Sequence, residues 1–316
     1  MSNGGHGGFT LIEALIALGL LVAVFGATFQ ILAPSQGIFR AQPEVAAVHQ
    51  RLRVAADALA ADLRGAGSGP RAGDMAGALV SVVPPVAPAA ARDDSVVRED
   101  AISVLAAPPT GAVAAVAAAL PPGSVVVPLG AAPCQPVSGT ACGFRAGMRV
   151  LLAGAGAPEI REVEQVTPPD VLRLDRGLAF GHAPGTAVLE VVERAYRLDV
   201  EDGESTLVRL EDGGPALPVV DHVVGLRFDY FDAAGPVSHS ALADGPWVQG
   251  PSPWRHDLDL WRVQRVRVTV RVEAASAFRG PAGPWFTRGG TAAGAARVPD
   301  REVAFDVTLR NAGPPP

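Results

Sequence analysis

Gly8-Phe9-Thr10-Leu11-Ile12-Glu13-Ala14-Leu15-Ile16-Ala17-Leu18 opens an apolar run that continues to Ala33, and its reading decides the fold. From Ala14 to Ala33 the only polar side chains are Thr28 and Gln30. About 20 residues at roughly 1.5 Å each reach about 30 Å, the hydrocarbon thickness of a bilayer, so one membrane-spanning helix is predicted over residues 9–33. The run is too long for an ordinary secretory signal, and residues 1–8 lack the basic side chain of such a signal. Glu13 stands at the front of the run, where burying a charge costs roughly 2.5 to 3.5 kcal/mol on insertion scales. Read alone, it fits a headgroup-level acid favoured by the positive end of the helix dipole.

Outward from this segment, Pro34 and Gly37 are expected to loosen or kink the helix, and Pro43 to open a second helical run. Val45, Val48, Leu52, Ala56, Leu59 and Leu63 recur at intervals of three and four, with Arg51, Arg53, Asp57, Asp62 and Arg64 off that stripe. Residues 34–64 therefore read as an amphipathic helix that covers a sheet and is capped at Gly65. Beyond it, residues 65–316 switch to a period of two. The clearest cases are Val266, Val268, Val270 and Val272, and Val303, Phe305, Val307 and Leu309. Further strands are expected at Leu79–Val83, Ala101–Leu105, Val125–Leu129, Met148–Leu152, Ile160–Val166, Val171–Leu174, Val188–Asp199, Thr206–Leu210 and Val223–Phe231. Ala112–Leu120 reads as a short helix or a loose loop. Pro236–Pro253 and Ala274–Val298 read as Gly/Pro-rich loops. The fold class expected is α+β: a long N-terminal helix packed on a mainly antiparallel β-rich domain.

At 316 residues the chain buries a sizeable core. Its basic residues are all arginine, and with 32 acidic residues against 26 basic ones the net charge is −6. No global positive field is available to recruit phosphate backbones, so no nucleic-acid partner is expected. The two cysteines, Cys134 and Cys142, lie in a Pro/Gly-rich stretch. In a chain that leaves the cytoplasm such a pair is more often a disulfide than two free thiols or a redox centre, and this spacing closes a small loop. Zinc would need four ligands, and the nearest histidine in sequence is the distant His182, so neither a metal nor a cofactor is expected.

Asp221-His222, His256-Asp257 and Ser238-His239-Ser240 hold the residue types of a hydrolytic triad, but no nucleophile-elbow pattern accompanies them. They read as solvated or hydrogen-bonded structural histidines, and no catalytic residue is assigned. Asp199, Glu201, Asp202 and Glu204 around Gly203 could hold calcium, although an acidic hairpin turn explains them as well. Arg262, Arg265, Arg267 and Arg271 alternate with valine as a solvated strand face does. Trp247, Trp254, Trp261 and Trp285 read as loop aromatics that cap the core or stack on a partner.

The string Gly8 to Leu18 closely resembles the class III signal of type IV prepilins and pseudopilins. The resemblance implies that residues 1–8 are a leader, that a prepilin peptidase cuts after Gly8, and that the new amino terminus at Phe9 is methylated. It also implies that Glu13 meets the N-terminal amine of a neighbouring subunit inside an apolar bundle, giving each buried charge a partner. The leader departs from the pattern in lacking Lys or Arg, leaving only His6 and the terminal amine to satisfy positive-inside orientation. Ala61-Asp62-Leu63-Arg64-Gly65-Ala66-Gly67, Asp100-Ala101-Ile102-Ser103-Val104, Phe144 to Leu152, and Arg194-Ala195-Tyr196-Arg197-Leu198 are similar to segments of PilW-type minor pilins. GspJ-type pseudopilins of type II secretion are the alternative relatives, usually with shorter chains. The resemblance thus implies a non-enzymatic minor pilin of the inner membrane with a periplasmic domain, later part of a pilus, whose partners are prepilin peptidase and other pilins. A membrane-tethered binding or adhesin module, with loops around Trp247 to Trp285 contacting a surface, is the competing expectation.

Overall fold

The computed structural model describes residues 10–69, 79, 83–89, 97–109, 111–130, 140–154, 158–249, 255–275, 278 and 298–311, with the side chains of 31–40, 249 and 255 excepted. The chain divides into two compact units, Met1–Gln50 with Glu273–Arg301, and Arg51–Val272 with Glu302–Pro316.

One helix, α1 (Leu11–Gly65), runs through all three expected breaks. Pro34, Gly37 and Pro43 lie inside it, which corrects the two-helix expectation. A proline costs a helix interior about 3 kcal/mol, and strong formers such as Ala and Leu on both sides propagate the helix past it. Its last turn is sealed by Ala66 and Ser68, whose N–H groups donate to Leu63 O and Gly65 O. The left-handed residue that turns the chain is Gly67, at φ 68°, rather than Gly65.

In the first unit, Ala41 and Val48 of α1 are buried, as are Ala274 and Val298. Glu44 Oε1 accepts from Ala275 N–H at 2.8 Å, and Phe278 O from Val298 N–H at 2.9 Å.

In the second unit the expected helix stripe is buried at Leu59 and Leu63, with Ala55 and Ala60 beside it, and half-buried at Leu52 and Ala56. The strands are β1 (Val86–Ala87), β2 (Ile102–Ala106), β3 (Val113–Ala115), β4 (Val126–Pro128), β5 (Arg149–Ala153), β6 (Glu159–Thr167), β7 (Val171–Leu174), β8 (Ala187–Glu201), β9 (Glu204–Glu211), β10 (Leu217–Asp221), β11 (Val223–Phe231), β12 (Pro236–Val237), β13 (Trp247–Gln249), β14 (Arg255–Asp257), β15 (Arg265–Val272) and β16 (Arg301–Thr308). Every pairing with a defined register is antiparallel.

The largest sheet contains a closed barrel that the sequence reading did not anticipate. β8 is long enough to pair on one edge with β2 and β3 and on the other with β5 and β9. From β5 the ladder runs through β6 and β7 to β4. It closes onto β3 through the Val116–Leu129 bridge, flanked by Ala117 N–H to Pro128 O at 2.8 Å and Gly130 N–H to Ala115 O at 2.7 Å. Strand periodicity fills the barrel with Ala114, Val127, Val150, Leu152, Val163, Leu172, Leu174 and Val188, joined by Phe144 and Cys142. The alternate residues Leu151, Ile160 and Leu189 point outward into a second cluster with Leu79, Val83 and Leu105. Ala112–Leu120, expected as helix or loop, therefore supplies a barrel wall. Leu79 and Val83, expected in a strand, instead close a turn in which Val83 N–H donates to Leu79 O; residues 80–82 lie outside the described residues.

A separate four-stranded sheet has the order β12-β11-β15-β16. Its alternation is as expected, with Val266, Val268, Val270 and Val272 fully buried. Pro236–Gln249, the described part of the stretch expected as a loop, holds β12, a 3-10 turn at Ser240–Leu242, and β13, which pairs antiparallel with β14.

Candidate functional site

At the N-terminal end of α1, Thr10 and Glu13 form a reciprocal cap. Glu13 Oε2 accepts from Thr10 N–H at 3.0 Å and from its hydroxyl at 2.9 Å, while Glu13 N–H lies 3.4 Å from Thr10 Oγ1. Thr-x-x-Glu at this position is the capping-box spacing, which satisfies amide donors that have no intrahelical acceptor. The sequence signal for this cap is the Thr10-Leu11-Ile12-Glu13 spacing itself, which the bilayer, dipole and subunit-partner readings of the acid leave unused. The helix Leu11–Gln30 is long and apolar enough to cross a membrane, and none of its apolar face is buried against the rest of the protein. Leu11, Ile12, Leu15, Phe25 and Phe29 are all exposed. Gly8 and Phe9, the expected processing residues, lie outside the described residues.

The C-terminal turns of α1 are tied to the sheet by polar groups at the edge of the apolar stripe. Asp62 accepts from Tyr196 Oη at 2.5 Å and from Arg194 Nη1 at 2.9 Å. Burial pushes the Tyr196 phenol far above its ordinary value, with the Asp62 charge adding to it, so the hydroxyl stays a donor. About three turns earlier, Arg51 pairs with Asp221 at 3.0 Å. Burial alone would raise the Asp221 carboxyl, but the hydrogen bond and charge of Arg51, with a contribution from His222, hold it below its ordinary value. A shallow groove of about 170 Å³ beside Asp62 and Arg194 is lined by Ala61, Gly65, Val104 and Val192 among others. Its charged groups are already paired with each other.

Among the described residues, the most buried ionic group is one the sequence reading missed. Cross-strand pairing of Val150 with Arg161 and Leu152 with Glu159 places both charged residues on the face that fills the barrel. Glu159 is fully buried, Arg161 is 4% exposed and His182 is 3% exposed. The Glu159 carboxylate accepts from Arg161 Nη2, from Ala179 N–H at 2.8 Å and from Phe180 N–H at 2.7 Å, and faces His182 Nε2 at 3.2 Å. Arg161 Nη1 donates to Ile160 O at 2.9 Å. A carboxylate that collects two side chains and two backbone amides is a clamp, fixing the segment after β7 against the barrel wall. Its alternating sequence Glu159-x-Arg161-x-Val163 was ambiguous, because Glu162 and Glu164 put charge on the other face too.

The residue types of a triad are engaged elsewhere. Asp257, 1% exposed, accepts from Gly245 N–H at 2.7 Å and Asp259 N–H at 2.9 Å, capping the 3-10 turn Leu258–Arg262. Ser238 Oγ bonds Ser240 Oγ at 2.9 Å. His239 stands edge-on to Tyr230, and His256 edge-on to buried Trp261. Asp202 and Gly203, at φ 51° and 77°, are the two-residue turn joining β8 to β9, so the acidic cluster sits on a tight hairpin of the type that Asp-Gly favours. Arg265 and Arg267 both pair with Asp306, and Arg262 with Asp232 and Asp259, so these basic positions are already partnered. Among the described residues no group of three or more His, Cys, Asp or Glu is placed to hold a metal ion. Cys142 is 3% exposed and carries no free thiol. Cys134, like Trp254 and Trp285, lies outside the described residues.

No family model matches the chain, and no curated protein matches it either. Among solved structures it is similar to a type IV-like pilin from Thermus thermophilus at 13% sequence identity and a TM-score of 0.21, covering 53% of this chain and 87% of that one. At that score the likeness carries no argument about function.

Proposed function

We propose that the chain is a low-abundance type IV pilin subunit: a prepilin peptidase cuts after Gly8, the new terminus at Phe9 is methylated, and the protein waits in the inner membrane with its β-rich domain in the periplasm. It then inserts α1 into a filament bundle beside other pilins and helps to initiate assembly at or near the tip. In this reading it has no enzymatic activity of its own. The observation that carries the proposal is the helix itself. An apolar span with no protein cover, headed by a single acid, continues without interruption into a polar-edged stretch whose last turns are fixed to a sheet. One helix thereby serves two solvents, lipid or neighbouring helices at one end and a folded core at the other. The buried, non-free Cys142 supports a Cys134–Cys142 bridge closing a small loop, as a secreted domain would carry.

Terminal mass spectrometry of the protein co-produced with a prepilin peptidase tests the reading. The expected product begins at N-methylated Phe9. A mature terminus beyond Ala27 would mark signal-peptidase cleavage and overturn it.

A further inference from the structure

Along one edge of β8 two strands meet end to end. β5 begins at Arg149 opposite Val191, and β9 ends at Glu211 opposite Arg194, so residues 192 and 193 lie at the joint between the barrel and the rest of the sheet. Asp212 closes that joint in place of a strand residue. Its N–H donates to Glu193 O at 2.8 Å, and its Oδ1 accepts from Glu193 N–H at 2.9 Å. The turn that permits this is left-handed at Asp212, φ 52°, and at Gly213, φ 72°. Arg149 reaches over from the barrel side. Its Nη1 donates to Glu193 Oε2 at 3.0 Å, whereas its Nε lies 3.8 Å from Asp212 Oδ1, too far for a hydrogen bond. The Asp212 side chain, only 25% exposed, therefore faces one cation that is engaged elsewhere and two anions, Glu193 of β8 and Glu211 of β9. Glu211 is itself drawn toward Arg194 at 3.3 Å and Arg209 at 3.9 Å. A carboxylate half out of water beside like charges holds a proton more readily than one in solution.

We propose that this joint is an acid-tightened latch between barrel and sheet: on acidification a proton from water goes onto Asp212 Oδ2, Oδ1 keeps the Glu193 N–H, and Arg149 keeps Glu193. The repulsion inside the joint then disappears while each of its hydrogen bonds remains. Burial pushes the Asp212 carboxyl above its ordinary value of 3.8, and the charges of Glu193 and Glu211 push the same way, against the Glu193 N–H and Arg149. The folded chain thus binds this proton before the unfolded chain does. The cost of the ionised carboxylate is fully present above the folded value and is relieved as pH falls through it. Asp306, which the hydrogen bond from Arg267 holds below its ordinary value, keeps its charge through that range, so the joint tightens before such pairs are lost. The latch is independent of the pilus reading, since all its residues belong to the second unit.

The test compares the full chain in detergent micelles as wild type and as Asp212→Asn, from about pH 7 down to about pH 4. Asparagine tolerates the left-handed backbone, keeps a carbonyl oxygen for the Glu193 N–H and carries no charge, so it stands for the protonated acid. At neutral pH the variant is expected to have the higher urea midpoint and the stronger protection of the Glu193 amide against hydrogen exchange. Both differences should shrink as the wild type takes up its proton. The carboxyl carbon resonance of Asp212, assigned from its loss in Asp212→Asn, should titrate above 3.8. Arg149→Gln removes the cation, and in that background the gain from Asp212→Asn at neutral pH should be larger. An Asp212→Asn protein less stable than wild type at neutral pH overturns the proposal, because the ionised carboxylate would then be a net attraction to Arg149. A difference that does not change with pH, or none at any pH, overturns it as well, since the side chain would then act as a turn residue alone. Should Arg149→Gln fail to fold, the pH course of Asp212→Asn and the titration of Asp212 still decide.

Discussion

Asp62 shows how much a single residue at the boundary of a stripe is asked to do. Its sequence position placed it off the apolar face of the helix, and in the fold it accepts from both Tyr196 and Arg194. Asp62→Ala should destabilise the protein by about 1–3 kcal/mol, because the buried Tyr196 hydroxyl loses its acceptor. Tyr196→Phe should cost about 1 kcal/mol, since Asp62 keeps Arg194. Urea unfolding midpoints of the two variants decide this, and an Asp62→Ala protein as stable as wild type would show the pair to be idle. The Arg51–Asp221 pair adds a pH-dependent part. With Asp221 held below its ordinary value of 3.8, its contribution is present above that value and lost as pH falls through the lower folded value. The stability gap between wild type and Arg51→Gln, about 0.2–1 kcal/mol for so exposed a pair, should close below about pH 4. A gap that is constant down to pH 2 would assign the effect of Arg51 to packing. Neither pairing was legible in the sequence, since Asp62 and Tyr196 are distant in the chain and no local pattern couples them.

Elements, by contrast, were legible wherever alternation gives the strand one clearly buried face. Val171–Leu174 and Val223–Phe231 have the bounds that their alternation predicts, β15 buries the valine face expected of it, and β16 buries Val307 with Val303 and Phe305 half-buried. Short elements escaped for physical reasons. Ala112–Leu120 is rich in alanine, a strong helix former, yet the narrow barrel needs a small residue such as Ala114 at that wall, so pairing with β8 overrides local propensity. β12, β13 and β14 are two or three residues long and sit among prolines and glycines, which mask a period of two. The helix stripe predicts its own energetics. Leu59→Ala should cost about 2–5 kcal/mol, as for other buried leucines, and Arg53→Ala, on the exposed side, within about 0.5 kcal/mol. In β6, Glu159→Gln removes one side of a buried pair and should cost roughly 3–5 kcal/mol, measured by thermal or urea unfolding. A neutral result there would mean that the amide serves the Ala179 and Phe180 N–H groups as well as the carboxylate does.

For the molecule as a whole, the barrel is an excursion from a simpler sheet. Ala106 of β2 and Val192 of β8 are paired neighbours, and the chain between them leaves, closes a barrel and returns to the adjacent strand position. Among the described residues its filling is drawn from 112–188, and its ionic clamp from 159–182. Such an insertion has a core of its own and the two ends of its chain close together, the conditions under which a segment folds alone. We therefore expect residues 107–191, produced under oxidising conditions, to unfold cooperatively as an isolated domain. Reduction should lower its stability by about 2 to 3 kcal/mol if Cys134 and Cys142 close the expected loop. The isolated barrel should also self-associate, because Leu151, Ile160 and Leu189 lose the cover of Leu79, Val83 and Leu105 and leave an apolar patch in water. Replacing Leu151 and Leu189 by Thr should restore a monomer without abolishing the transition, since both point away from the barrel interior. Circular dichroism and sedimentation on the two versions provide the measurement. A chain that shows no cooperative transition in either would mean that the barrel depends on the surrounding sheet, and that closure through the short β3 and β4 strands is maintained from outside.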